Sequence, residues 1–303
     1  MMPVSSTLIL LFAFLGQAAP VDDFGQSHPL LAAHTSRIEA RFGDVGGSLT
    51  STELTLRSSS LILLSHTATR RPILVVNMAG KTQMIEHPVP MSEGYVYQAK
   101  LVELDQEHAL VVWHGTSPRG VHGRIFDATG TPVWTGKLVS EQSHPKLHVV
   151  HRPGLGALVA VSTHNHLVVQ GVGVDGSLAL HEGLVLVDQA PKSAVGLAAD
   201  ADGRTAVVYS VGKGMQARYA VQWLTTAVAR EGEAIILGEV GTKMEGIMDP
   251  FSVAVLEDGT LRADLPLGMA GDAIWDLSRR TVDVRRDGTV TASTAVRVER
   301  RQD

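Results

Sequence analysis

Short aliphatic runs bounded by Gly, Asp and Ser recur along the chain. ALVVWH at 109–114, ALVAVS at 157–162 and TAVVYS at 205–210 look alike and begin 48 residues apart. Runs of this length, rich in Val, Leu and Ile, read as buried β-strands. A repeat of this length marks a solenoid, a propeller or an array. The register extends over five units, each reading as four strands with two tight turns. They span 51–92, 93–139, 140–187, 188–240 and 241–303, with residues 19–50 as an N-terminal segment ahead of them.

The turns keep step with the strands. A first turn falls near Ser59, His108, Gly156, Gly203 and Gly259, and a second near Gly80, Gly130, Gly176, Gly232 and Gly288. Asp-Gly at 175–176, 202–203, 258–259 and 287–288 predicts two-residue type I′ hairpins, whose central residues both need positive φ. Asp200-Ala201-Asp202-Gly203 also has the start of a calcium loop, but no further ligand follows at the required spacing. A lone four-stranded sheet cannot bury both faces. Radial packing about an axis does so and leaves only short edges. The expected fold is therefore all-β, a β-propeller of about five four-stranded blades. Within 19–50, the stretch 37–42 reads either as a closing strand or as a short helix.

The apolar run LILLFAFL at 8–15, followed by Gly16-Gln17-Ala18-Ala19, predicts a signal peptide over 1–18, although no Lys or Arg precedes it. The alternative is a buried strand at the start of the fold. Eight residues fall far short of the roughly 20 that span a bilayer, so no transmembrane segment is expected. An exported chain of 303 residues with no Cys has a core large enough to need no disulfide. Together these features predict a secreted or periplasmic bacterial protein. The net charge of −5 argues against nucleic acid as a partner.

Val111-Val112-Trp113 followed by GRIFDATGTPV at 123–133 resembles a propeller repeat of bacterial secreted and surface proteins. That repeat reads Val-Val-Trp, a variable loop, then Gly-x-Ile-Phe-Asp-x-x-Gly. FDATGTPVW is also similar to the blade signature of quinoprotein-like propellers. The resemblance covers one unit well; Leu64, Val161 and Tyr209 replace Trp113 in the equivalent places. It implies a propeller and an exported bacterial protein, and carries no catalytic residue or cofactor.

Candidate chemistry is sparse. Glycoside hydrolysis requires two carboxylates about 5–9.5 Å apart. Glu93, Glu103, Asp105, Asp249 and Glu257 are the candidates near first strands, and surface carboxylates are the plainer reading for all of them. Nine of thirteen histidines fall between His108 and His181. His66, His87, His114, His122, His144, His164 and His166 map to the side of the disc bearing the second-to-third strand loops. Among them His114, His122, His164 and His166 are metal-ligand candidates, against the plainer reading of solvated loop histidines. On the same side the loops carry Arg70, Arg71, Arg119, Lys213, Arg218, Arg279 and Arg280, joined by Lys146, Lys192 and Lys243 in the unit-to-unit connections. The opposite turns carry mostly Asp and Glu, which turn geometry favours. Trp275, in the loop from Leu265 to Arg280, is either a solvent-reachable contact residue or packed beneath its own loop. These features point to a non-enzymatic binding or scaffolding propeller that engages an anionic glycan, lipid headgroup or acidic protein surface. The alternative is a propeller hydrolase or lyase acting on glycans.

Overall fold

A computed structural model describes residues 49–66, 72–85, 87–90, 95–115, 119–140, 145–163, 166–188, 195–212, 218–239, 252–268, 277–293 and 296–298. The chain divides into two units, Met1–Gly46 and Gly47–Asp303. The first, with the expected signal peptide and the 37–42 stretch, lies outside the described residues.

The second unit is five antiparallel meanders. The first holds β1 (Leu49–Thr55), β2 (Ser59–His66), β3 (Ile73–Met78) and β4 (Lys81–Ile85). The second holds β5 (Val96–Glu103), β6 (His108–Gly115), β7 (Val121–Asp127) and β8 (Pro132–Val139). The third holds β9 (Lys146–Arg152), β10 (Gly156–Ser162), β11 (His166–Val172) and β12 (Leu184–Asp188). The fourth holds β13 (Val195–Ala199), β14 (Thr205–Val211), β15 (Arg218–Leu224) and β16 (Arg230–Glu239). The fifth holds β17 (Ser252–Val255), β18 (Leu261–Gly268), β19 (Leu277–Val284) and an outer strand in two pieces, β20 (Val290–Ala292) and β21 (Val296–Val298), both paired with β19. No helix occurs among the described residues, so none is long and apolar enough to cross a membrane.

Each sheet buries a face against the next. One apolar cluster joins sheets one and two through Leu61, Leu74, Val111 and Trp113. A second joins sheets two and three, a third sheets three and four, and a fourth sheets four and five. The first strands lie against one another in succession, β1 on β5, β5 on β9, β9 on β13 and β13 on β17. Sheets stacked face to face with their first strands innermost are the blades of a β-propeller. β5 and β9 run in parallel. Leu147 N donates to Gln98 Oε1 at 2.7 Å, and further along both strands His151 Nδ1 lies 3.0 Å from the Glu103 carbonyl oxygen. Strand starts on the inner edge therefore share one face of the disc, here the loop face. The first and second hairpin turns share the other, the turn face.

The turns differ from the type I′ expectation. Gly130, Gly176, Gly203, Gly259 and Gly288 each donate to the carbonyl three residues back, and the next residue's carbonyl closes a second bond, as from Asp127 N to Thr131 O. These are type I turns followed by a left-handed residue in a bulge, and only the Gly carries positive φ. The Asp side chains instead satisfy backbone N–H groups, as Asp258 Oδ1 does for Thr260 N at 2.9 Å. Asp200 accepts from Asp202 N, Arg204 N and Arg286 Nη2, so the calcium-loop resemblance has a protein-internal use. In the fourth blade the turn lies at 225–229, not near Gly232, and Val228 holds the left-handed position with φ 61°. Gly232 sits where the pairing of β16 with β15 slips.

Candidate functional site

The turn face is structural. Arg152, 2% exposed at the end of β9, donates Nε to Gly203 O at 2.9 Å and Nη2 to Thr226 O at 2.6 Å, tying blade three to blade four. Arg57 pairs with Glu107, Arg204 with Glu231, and Arg286 with Asp200. Asp105 accepts from Glu107 N and His108 N, which draw its carboxyl below the ordinary value against the opposing effect of burial. The hydrolase candidates Asp105 and Glu257 both sit in first turns on this face, in different blades. Glu93 and Asp249 lie outside the described residues.

On the loop face, Arg119 is exposed just before β7, and its carbonyl oxygen lies 3.2 Å from His122 Nε2. Arg218 is exposed at the start of β15. Arg279 and Arg280 are not loop residues: both lie within β19, and the connection ahead of it is correspondingly shorter. Being adjacent on a strand, they address opposite faces of the sheet. Arg279 Nη1 meets Asp264 Oδ2 at 3.0 Å across the β18–β19 pair. Arg280 is half-buried, paired in register with the core residue Leu265, and its Nε is buried with no hydrogen-bond partner among the described residues. Arg70, Arg71, Lys213 and Trp275 lie outside the described residues, as do His144, His164, Lys192 and Lys243.

The candidate histidines among the described residues do not converge. His122 is paired with Trp113 across β6 and β7, so the two share a face, and their rings stack at 5.6 Å. His114, the neighbour of Trp113, therefore points to the other face of the same sheet. His166 opens β11, its N–H donating to Thr163 Oγ1 at 2.9 Å. No group of three metal-ligating side chains occurs among the described residues.

The loop face also carries a feature absent from the sequence-based expectations. Tyr95 and Tyr97, at the start of innermost strand β5, are 55% and 47% exposed. The pairing of β5 with β6 slips between Val96 and Gln98, leaving Tyr97 as an extra residue. Such a bulge re-aims its side chain. The Tyr97 ring stacks on the buried His114 ring at 5.5 Å and 22°, which holds it as a flat platform. Next to it, Gln98 is held by blade three through Leu147 N. The aliphatic run alone predicts a strand from Lys100, whereas β5 begins at Val96. The Tyr-Val-Tyr alternation, apolar only in its middle, is the available signal of the earlier start.

No family model and no curated protein matches the chain. Among solved structures it is similar to the six-bladed β-propeller lectin of Aleuria aurantia, with a TM-score of 0.47, 10% identity, and 84% of this chain and 79% of that one covered. A mutant of the same lectin in complex with alpha-methyl-L-fucoside gives 0.44 and 9% identity, covering 82% and 78%. One chain from a study of two prolyl endopeptidases gives 0.45 and 12% identity, covering 86% of this chain but 40% of that one.

Proposed function

We propose that the protein is an exported bacterial binding propeller, without catalytic activity, that engages an anionic glycan through its loop face. The observation that carries this reading is the pair of exposed tyrosines at the bulged start of an innermost strand, on the face that also bears Arg119, Arg218 and Lys146. A tyrosine ring offers an apolar plane for a sugar and a hydroxyl for its polar edge. Cations around it favour a polymer bearing carboxylate or sulfate groups, even on a chain of net charge −5.

The test is binding to immobilised polygalacturonate against neutral dextran. Retention on polygalacturonate is expected to fall as salt is raised, because exposed charges are screened. Single charges at exposed sites contribute little, so the informative variant is Arg119→Glu combined with Arg218→Glu and Tyr97→Ala. Equal retention on dextran, or retention that the triple variant leaves intact, would end the proposal.

A further inference from the structure

Towards the loop face, the contact between blades four and five reaches a level formed by Ser210, Tyr219 and Gly238, which pair across β14, β15 and β16. Residues paired in this way share a face of their sheet. Tyr219 belongs to the apolar cluster that joins blades four and five, so the level is turned to blade five. From the other side Arg280 on β19 pairs with Leu265, a member of the same cluster, and is turned to blade four. β16 ends and β19 begins on the loop face, so this mouth between the blades opens on the side that carries Tyr95 and Tyr97.

Two features set the mouth apart. The first is a sunken cation without a counter-ion. Arg280 Nε is buried and has no hydrogen-bond partner among the described residues. Its neighbour Arg279 has Asp264 on the opposite face of the sheet, whereas Arg280 forms no ion pair among the described residues. The second is open space at Gly238, whose φ is 143°. A Cβ built on it would meet, beyond its chain neighbours, only Arg280 Nη1, at 4.0 Å. A recess therefore lies over the Gly238 backbone, and the guanidinium reaches its edge.

The methylenes of an arginine cover apolar surface well, which accounts for the half-burial of Arg280. They do not account for the charge, because a partly buried cation without a partner is costly. A methionine would cover Leu265 and Tyr219 without that cost. What the arginine adds is a forked donor beside an open space, and the group that matches the fork is a planar carboxylate.

We propose that this recess takes the carboxylate of one uronic-acid residue, held over Gly238 by the Nη end of Arg280. The proposal rests on the binding reading above and names the sugar class that the loop face recognises.

The experiment is thermal unfolding of the full chain titrated with sodium galacturonate, galactose or sodium acetate, at ionic strength matched by sodium chloride. Galacturonate is expected to raise the midpoint saturably, because a ligand of the folded state stabilises it. Galactose, which lacks the carboxylate, should leave the midpoint unmoved. A rise with acetate equal to that with galacturonate would overturn the assignment to a sugar acid. Arg280→Met keeps the apolar stem. Without ligand its midpoint should equal or exceed that of the wild type, while its affinity for galacturonate should fall at least about tenfold, the loss of a charge-assisted contact. Arg280→Lys, which keeps the charge but not the fork, should fall between the two. NMR of the wild type with labelled arginine reads the site without a substitution: the Arg280 Nε–H resonance should move with galacturonate and not with galactose. An unmoved resonance, or a galacturonate response that Arg280→Met leaves intact, would overturn the subsite. If polygalacturonate retention survives in Arg280→Met and fails in the loop-face triple variant, the subsite is wrong and the binding face stands. Galacturonate binding that Arg280→Met abolishes, with no polymer retention by the wild type, would mean the converse, a genuine subsite on a face that binds no polymer.

Discussion

His148→Gln isolates a single titration inside the fold. In the wild type the ring is neutral down to about 4, whereas in the unfolded chain it takes up a proton near the ordinary 6.5. Between those values the unfolded state binds more protons than the folded one, so stability falls as pH falls. The contribution is fully present above about pH 6.5 and lost progressively towards pH 4. The whole interval corresponds to about 3 kcal/mol, of which about 2 kcal/mol is lost between pH 7 and pH 5. Asp127 and Asp283 act in a different window. Their carboxyls lie below the ordinary value, Asp127 through Thr129 and Thr131 against the opposing effect of burial, and Asp283 through Arg262. They contribute stability that is lost only as pH falls below about 4. Urea unfolding in chloride buffers at pH 7 and pH 5, read by tryptophan fluorescence, gives the difference directly. The variant is expected to lose about 2 kcal/mol less than the wild type over that range, a gap of roughly 4–8 °C in midpoint temperature for a domain of this size. Parallel pH profiles for the two proteins would refute the reasoning.

Substitutions at two further positions probe the blade contacts. Arg152→Met removes the donors of two carbonyls in blade four and should cost about 2–4 kcal/mol by thermal unfolding. Arg152→Lys, which keeps the charge but not the fork, should fall between Met and wild type. Trp113, 1% exposed between blades one and two, should cost about 3–5 kcal/mol on replacement by Ala. Its Nε1 is buried with no hydrogen-bond partner among the described residues, so Trp113→Phe should cost far less, about 1 kcal/mol, in the same assay.

The blades are legible in the sequence because each strand is a bounded aliphatic run and each turn needs a residue tolerant of positive φ. ALVVWH and ALVAVS form β6 and β10 with nearly the expected ends. The fourth blade breaks that rule where tertiary packing prevails over local preference. Thr225-Thr226-Ala227-Val228 contains no turn residue, yet Val228 is 1% exposed in the cluster joining blades three and four. Burying a Val side chain contributes about 1.5–3 kcal/mol, enough to offset the roughly 1–3 kcal/mol of a left-handed β-branched residue. Gly232 attracts the turn assignment only because it is the nearest glycine. Arg279 and Arg280 read as loop residues because charge interrupts the apolar pattern; across the strand, Asp264 supplies the partner that makes Arg279 a strand residue. The candidate site is the hardest part to see. Gln98 and Leu147 are 49 residues apart in sequence, and only the register between two innermost strands brings them together. Tyr97 is exposed by a slipped pairing that no composition reveals.

Which face of the propeller meets the ligand decides the proposed function, and backbone-amide shift mapping with a polygalacturonate oligosaccharide reads this directly. Shifts are expected at 95–100, 119–122 and 146–148, on the loop face at the start of β5, β7 and β9. Shifts confined to the opposite turns, at 57, 105–107, 202–204 and 226–231, would contradict a loop-face site.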